Sequence, residues 1–95
     1  MDPTDKLTEL ARIERLRVSG EARLIRARAG ISARQLAKAL GVRPQTVLSW
    51  EEAETRPRPV VALRWLRALD RLKAEMDRPA EEEPPELALT MEGAA

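Results

Sequence analysis

The sequence predicts an all-α protein, a small bundle of about five helices followed by a flexible acidic tail. Three observations carry this. Apolar residues recur at helical spacing through successive stretches of the chain. Glycine and proline fall between those stretches, at Gly20, Gly30, Gly41, Pro44, Pro57 and Pro59, and not inside them. Beyond residue 77 the pattern stops, and proline and glutamate take over.

Residues 1–4 are expected to fray, with Thr4 as N-cap of a helix over residues 5–18. In that helix Leu7, Leu10, Ala11 and Val18 form one stripe, and Ile13 and Leu16 lie off it. Residues 1–20 therefore read as an accessory helix, packed on the rest of the chain or on a second copy. Ser19-Gly20 ends it and opens residues 21–29, where Ala22, Ile25 and Ala29 face inward and Arg23 and Arg28 outward. Ser32 is a good N-cap, and Gln35 three residues later has capping-box spacing. Leu36, Ala37 and Leu40 then share one face of a helix over residues 32–40, stopped by Gly41, which tolerates the left-handed conformation of a helix end.

Pro44 stands at the first position of a helix over residues 44–52, where its missing N–H costs least. Val47, Trp50 and Glu51 mark its inner side. Two short helices around a glycine turn form a helix-turn-helix pattern. A loop follows over residues 53–59. Residues 60–76 make a long last helix begun by Pro59. On it Arg64, Arg67, Arg71 and Glu75 share a narrow polar strip, while the apolar residues from Val61 to Met76 cover about 200° of the wheel. One small core needs a stripe of only about 100°. Either residues 5–18 or a symmetric partner must cover the excess, so Val61, Trp65, Leu69 and Leu72 are a candidate dimer or packing face. Residues 77–95, with Pro79, Glu81 to Glu83, Pro84 and Pro85, form an acidic tail expected to be disordered. Within it Glu86-Leu-Ala-Leu-Thr-Met91 is mildly amphipathic and could dock on a protein partner.

Gly30-Ile31-Ser32, Leu36-Ala37, Leu40-Gly41-Val42, Thr46-Val47 and Trp50-Glu51 together resemble the Cro / lambda-repressor-like helix-turn-helix family. The resemblance runs from about Glu21 to Leu72 and makes residues 21–76 a DNA-binding domain. It implies that helix 44–52 enters the major groove of double-stranded DNA. Arg43, Pro44, Gln45, Leu48 and Ser49 would then face the bases. Arginine can grip guanine, glutamine can grip adenine, and Pro44 and Leu48 offer only apolar contact. Ser32, Arg34, Thr46, Thr55, Arg56 and Arg58 would meet phosphates, and Arg43 could equally clamp one. The resemblance also pairs Arg26 with Glu51 as a structural ion pair. The sequence departs from the family at Ala33, where a phosphate-binding glutamine is usual, and at Ala53, where a glycine usually ends the third helix. With glycine missing there, that helix could run on or end differently.

Composition fits this reading and excludes others. The chain has no cysteine and no histidine, so disulfides, zinc fingers and Cys/His catalysis are excluded. No nucleophile–base pair, phosphate-binding glycine loop or spaced carboxylate set outside the tail suggests an enzyme, and no metal or cofactor is implied. No apolar run approaches the ~20 residues of a membrane span, which points to a cytoplasmic protein. The net charge of +1 conceals an asymmetry. Residues 21–58 carry eight basic and four acidic side chains, whereas residues 79–95 carry five acidic and no basic ones. A basic body with an acidic tail suits a nucleic-acid binder.

The expected function is a sequence-specific transcriptional regulator, a repressor or Cro-like switch of a bacterium or phage, acting as a homodimer on a palindromic operator. Two alternatives stay open. One is an antitoxin whose tail binds a toxin. The other is a protein-interaction module that has lost DNA binding, a reading that Ala33 and Pro44 keep alive.

Overall fold

The computed structural model describes residues 3–78, which form five helices: α1 (Pro3–Ser19), α2 (Glu21–Arg28), α3 (Ala33–Leu40), α4 (Pro44–Glu51) and α5 (Pro59–Met76). There are no strands among the described residues. Of the tail expected over residues 77–95, Asp77 caps the end of α5 and Arg78 follows it, and the disorder and partner role expected of the rest lie outside the described residues.

The short helices are bounded by local chemistry. At the start of α3 the Ser32 hydroxyl accepts from the Gln35 backbone N–H at 3.0 Å, and the Gln35 side chain accepts from the Ser32 N–H at 2.8 Å. This capping box satisfies two of the donors that a helix start leaves open. At its end Gly41 turns left-handed, with φ 73°, and the chain reverses through Val42 N–H to Ala37 C=O and Gly41 N–H to Lys38 C=O. The end of α4 repeats this arrangement without glycine. Ala53 adopts φ 61°, while Glu54 N–H reaches Ser49 C=O and Ala53 N–H reaches Trp50 C=O. The helix therefore stops at the same point without a glycine, and alanine carries the conformational cost.

A single core draws on every helix. Ile13 and Leu16 come from α1, Ala22 and Ile25 from α2, Leu36, Ala37 and Leu40 from α3, Val47 and Trp50 from α4, and Ala62, Trp65, Leu66 and Leu69 from α5. The two indoles meet with ring centroids 5.2 Å apart and planes tilted by 42°, an arrangement worth about 0.5–1.5 kcal/mol beyond the buried area.

The N-terminal helix departs from expectation. The stripe of Leu7 and Val18 faces solvent, at 66% and 61% exposure, and the off-stripe pair Ile13 and Leu16 is buried. The docked face runs Leu10, Ile13, Leu16 and Arg17, a spacing of three, three and one. It wins because it fits the groove beside α5, where burying Ile13 and Leu16 contributes roughly 1.5–3 kcal/mol each. Arg12 adds two hydrogen bonds to Asp70 of α5, at 2.5 and 3.2 Å. The helix also begins earlier than expected, at Pro3. Thr4 is thus a helical residue whose carbonyl accepts from the Thr8 hydroxyl, and not the N-cap.

This docking accounts for the wide apolar surface of α5. Trp65 and Leu69 are fully buried within one chain, and Val61 and Leu72 are half-buried against the same core.

Candidate nucleic-acid interface

The interface is built outward from one buried ion pair. Arg26, near the end of α2, donates from Nε to Glu51 Oε2 at 2.6 Å and from Nη2 to Glu51 Oε1 at 2.9 Å. Its Nη1 donates to the Ile31 carbonyl at 2.9 Å. One guanidinium thus joins α2, the loop before α3 and the end of α4. The Glu51 side chain is 1% exposed and that of Arg26 is 11% exposed, so water competes little with the bidentate bond. The hydrogen bond to Glu51 pushes the Arg26 pKa still higher, against the opposing effect of burial. Val47 and Trp50 are buried on the inner face of the same helix and anchor it in the core.

The outer face of α4 carries the candidate readers. Arg43, Pro44 and Gln45 are exposed at its N-terminal end. Arg43 occupies the N-cap position without a side-chain capping bond, and Pro44 has no N–H, so the positive end of the helix is left open. Arg43, Gln45, Thr46, Ser49 and Thr55 line one hollow on this surface. Leu48 is half-buried and Pro44 exposed, and neither lines the hollow. The Thr55 hydroxyl donates to Ser49 Oγ at 2.9 Å, leaving the Ser49 hydroxyl hydrogen to point elsewhere.

Of the expected phosphate contacts, Thr46 and Thr55 line that hollow, and Ser32, Arg34, Arg56 and Arg58 lie before and after it in the chain. Ser32 and Arg34 are exposed at the start of α3. Ser32 is engaged in the capping box as an acceptor, and its hydroxyl hydrogen is not used there. Ala33, the departure from the family pattern, packs partly against the core. Thr55, Arg56 and Arg58 are exposed in the loop between α4 and α5.

The loop has a support that residue types alone did not suggest. Arg17 of α1 is buried, at 6% exposure. It donates from Nε and Nη2 to both carboxylate oxygens of Glu14 and from Nη1 to the Thr55 carbonyl at 3.2 Å. Arg56 approaches the same carboxylate at 3.4 Å. The Arg17 hydrogen bond is the main cause holding the Glu14 carboxyl below its ordinary range. The N-terminal helix thereby fixes the loop that carries Thr55 and Arg56. An arginine inside an otherwise charged helix normally signals solvent. The only hint of burial was its spacing of four from Ile13 and its position three after Glu14.

Two carboxylates temper the positive surface just beyond α4. Glu52 and Glu54 are exposed neighbours, and the Glu52 carboxylate, by accepting a hydrogen bond from protonated Glu54 and by its charge, raises the Glu54 pKa.

A family model described as helix-turn-helix matches residues 23–75, more than half of the chain. The chain belongs to the helix-turn-helix family, of the Cro / lambda-repressor type. That membership makes it a DNA-binding regulator in broad class, in a family that is generally not enzymatic. No curated protein and no solved structure matches it. Among the described residues, no helix is long and apolar enough to cross a membrane, and no acidic cluster is grouped to hold a metal ion.

Within the helix-turn-helix frame, α3 and α4 are the paired helices, and Gly41-Val42-Arg43 is the turn between them. The matched segment covers Arg26 and Glu51 and every residue of the hollow.

Proposed function

We propose that this helix-turn-helix protein is a sequence-specific repressor or Cro-like switch protein of a bacterium or phage. It reads the major groove with α4. The observation that carries this is the hollow of Arg43, Gln45, Thr46, Ser49 and Thr55 on the outer face of a helix whose inner face is locked into the core. Gln45 suits adenine, and Arg43 suits guanine or a phosphate. Ser49 is a shorter-range partner whose donor direction is biased by Thr55. Pro44 and Leu48 add apolar contact, as with a thymine methyl. Ser32, Arg34, Thr46, Thr55, Arg56 and Arg58 hold the phosphate backbone on either side.

Four exposed arginines at this surface, Arg34, Arg43, Arg56 and Arg58, set the electrostatic scale. If each displaces one counterion, the slope of log affinity against log salt is about −3 to −4 per chain. A single domain of this size covers one half-site. Two copies on a palindrome, with half-sites about one helical turn apart (~34–36 Å), give the affinity of an operator. Occupying a promoter is sufficient for repression.

The test is selection from a randomised duplex pool, followed by fluorescence anisotropy on the selected sequence and on a scrambled one. Recovery of a palindromic consensus bound at least 100-fold tighter than the scramble supports the proposal. Recovery of no consensus, with equal and steeply salt-dependent binding to both duplexes, contradicts it.

A further inference from the structure

A groove between α3 and α5 is separate from the hollow on α4. At about 530 Å³ it falls in the size range of binding pockets. Its floor is apolar, with Leu36, Leu40 and Leu72. Its rim is formed by Arg64, Arg67 and Arg71, which share one face of α5 and are all exposed. No carboxylate among the described residues pairs with any of the three. Three like charges at spacings of three and four repel one another along a helix. The surface therefore combines a hydrophobic floor with an unneutralised positive rim.

That combination selects its occupant. A phosphate backbone would neutralise the arginines and leave the floor wet. A second copy docked through the same groove by two-fold symmetry would set one arginine rim against another. An acidic segment with apolar residues satisfies both features, and this chain supplies one. Residues 79–95 carry five glutamates and no basic residue, and Leu87, Leu89 and Met91 lie among them.

We propose that residues 81–91 dock in the α3–α5 groove of their own chain. Leu87, Leu89 and Met91 meet the floor, and Glu81 to Glu83 and Glu86 meet the arginine rim. The reach is sufficient. Residues 78 to 87 span up to about 30 Å when extended. Returning from the end of α5 at Met76 to the level of Ala68 requires only about 12 Å along the helix. Tethering gives the segment an effective concentration in the millimolar range, so weak intrinsic affinity is enough for occupancy. The proposal does not depend on what α4 binds.

The absence of cysteine makes the test clean, because Thr90→Cys creates a unique attachment point in the full chain. A nitroxide placed there broadens NMR signals of nearby amides. The expected result among residues 3–78 is at least a three-fold intensity loss centred on residues 31–40 and 64–72. That loss should be abolished when Arg64, Arg67 and Arg71 are all changed to glutamate, with the amide spectrum otherwise that of a folded protein. Broadening centred on Gln45 and Ser49 would overturn the proposal in favour of a tail lying over α4. No local broadening would overturn it outright. Mixing spin-labelled chains with isotope-labelled, spin-free chains tells docking within one chain from docking between chains. Broadening in the mixture as strong as within one chain would assign the groove to another copy's tail and refute docking in the same chain.

Discussion

Removing Glu51 tests how α4 is held. The Glu51 carboxylate accepts two hydrogen bonds from Arg26, at 2.6 and 2.9 Å, in a site where it is 1% exposed. Glu51→Gln keeps the shape but withdraws the negative charge, leaving a guanidinium only 11% exposed to water with the Ile31 carbonyl as its remaining acceptor of full strength. Breaking one side of a buried pair costs about 3–5 kcal/mol, and the residual exposure of Arg26 favours the lower end, about 3 kcal/mol. For a domain of this size, each kcal/mol moves Tm by about 4–8 °C, so the midpoint should fall by about 12–24 °C. Arg26→Met should cost a similar amount because it strands the carboxylate. The double variant Arg26→Met/Glu51→Leu removes both charges and should be less destabilised than the sum of the singles, with a coupling energy of about 2–3 kcal/mol. Urea unfolding followed by tryptophan fluorescence reads this directly, since Trp50 and Trp65 are both in the core. Single losses below about 1 kcal/mol with no coupling would show the pair to behave as an exposed bridge. The picture of α4 locked by Arg26 would then be wrong.

Three further outcomes are expected. Ala53→Gly should stabilise the protein by about 0.5–1 kcal/mol. Relief of the left-handed strain of about 1–2 kcal/mol exceeds the extra flexibility that glycine gives the unfolded chain, about 0.4–1 kcal/mol, and a fall in the urea midpoint would contradict the φ of 61°. Ile13→Ala should cost about 2–5 kcal/mol and Arg12→Ala no more than about 1 kcal/mol, because the first empties a core site and the second breaks a bridge exposed by 44% and 41%. The opposite order in denaturant titrations would mean that α1 is held by charge and not by its buried face. Glu14 provides a pH signature. Its folded pKa is depressed by Arg17, so its contribution is present above the ordinary value of about 4.5 and lost as pH falls through the lower folded value. The stability gap between the natural protein and Glu14→Gln should therefore be constant from pH 7 to about pH 5 and close below that; a gap unchanged down to pH 3 would contradict the linkage.

The parts of the fold that were legible in the sequence are those written by local chemistry. Ser32 and Gln35 announce a helix start because their side chains can reach each other's backbone. Gly41 and Pro44 fit only a few backbone conformations, and they bracket the turn. The parts that were not legible depend on tertiary choice. The N-terminal helix offers two apolar stripes of similar strength, and the groove beside α5 selects Ile13 and Leu16 over Leu7 and Val18. Arg17 is buried because Glu14 and the Thr55 carbonyl accept its donors, and Thr55 lies 38 residues away in the chain. Ala53 shows the complementary case. A missing glycine did not move the helix end, because three buried residues of α4 and two backbone hydrogen bonds hold the stop in place. Among the candidate contacts, the resemblance grouped Arg43, Pro44, Gln45, Leu48 and Ser49 toward the bases and gave Thr46 to a phosphate, whereas the hollow holds Arg43, Gln45 and Ser49 together with Thr46 and leaves out Pro44 and Leu48. Only the folded loop brings Thr55 to the same hollow and ties its hydroxyl to Ser49.

The central claim is that α4 reads bases while the arginines around it hold phosphates. The most direct measurement is fluorescence anisotropy on the selected duplex and its scramble, at several salt concentrations, for the natural protein, Gln45→Ala and Arg56→Ala. The account predicts that Gln45→Ala weakens binding to the selected duplex by about 1–3 kcal/mol and leaves the salt slope unchanged. Arg56→Ala should weaken binding to both duplexes alike and reduce the slope by about one. If Gln45→Ala weakens both duplexes equally, or changes neither while Arg56→Ala removes the preference, α4 does not read sequence in this protein.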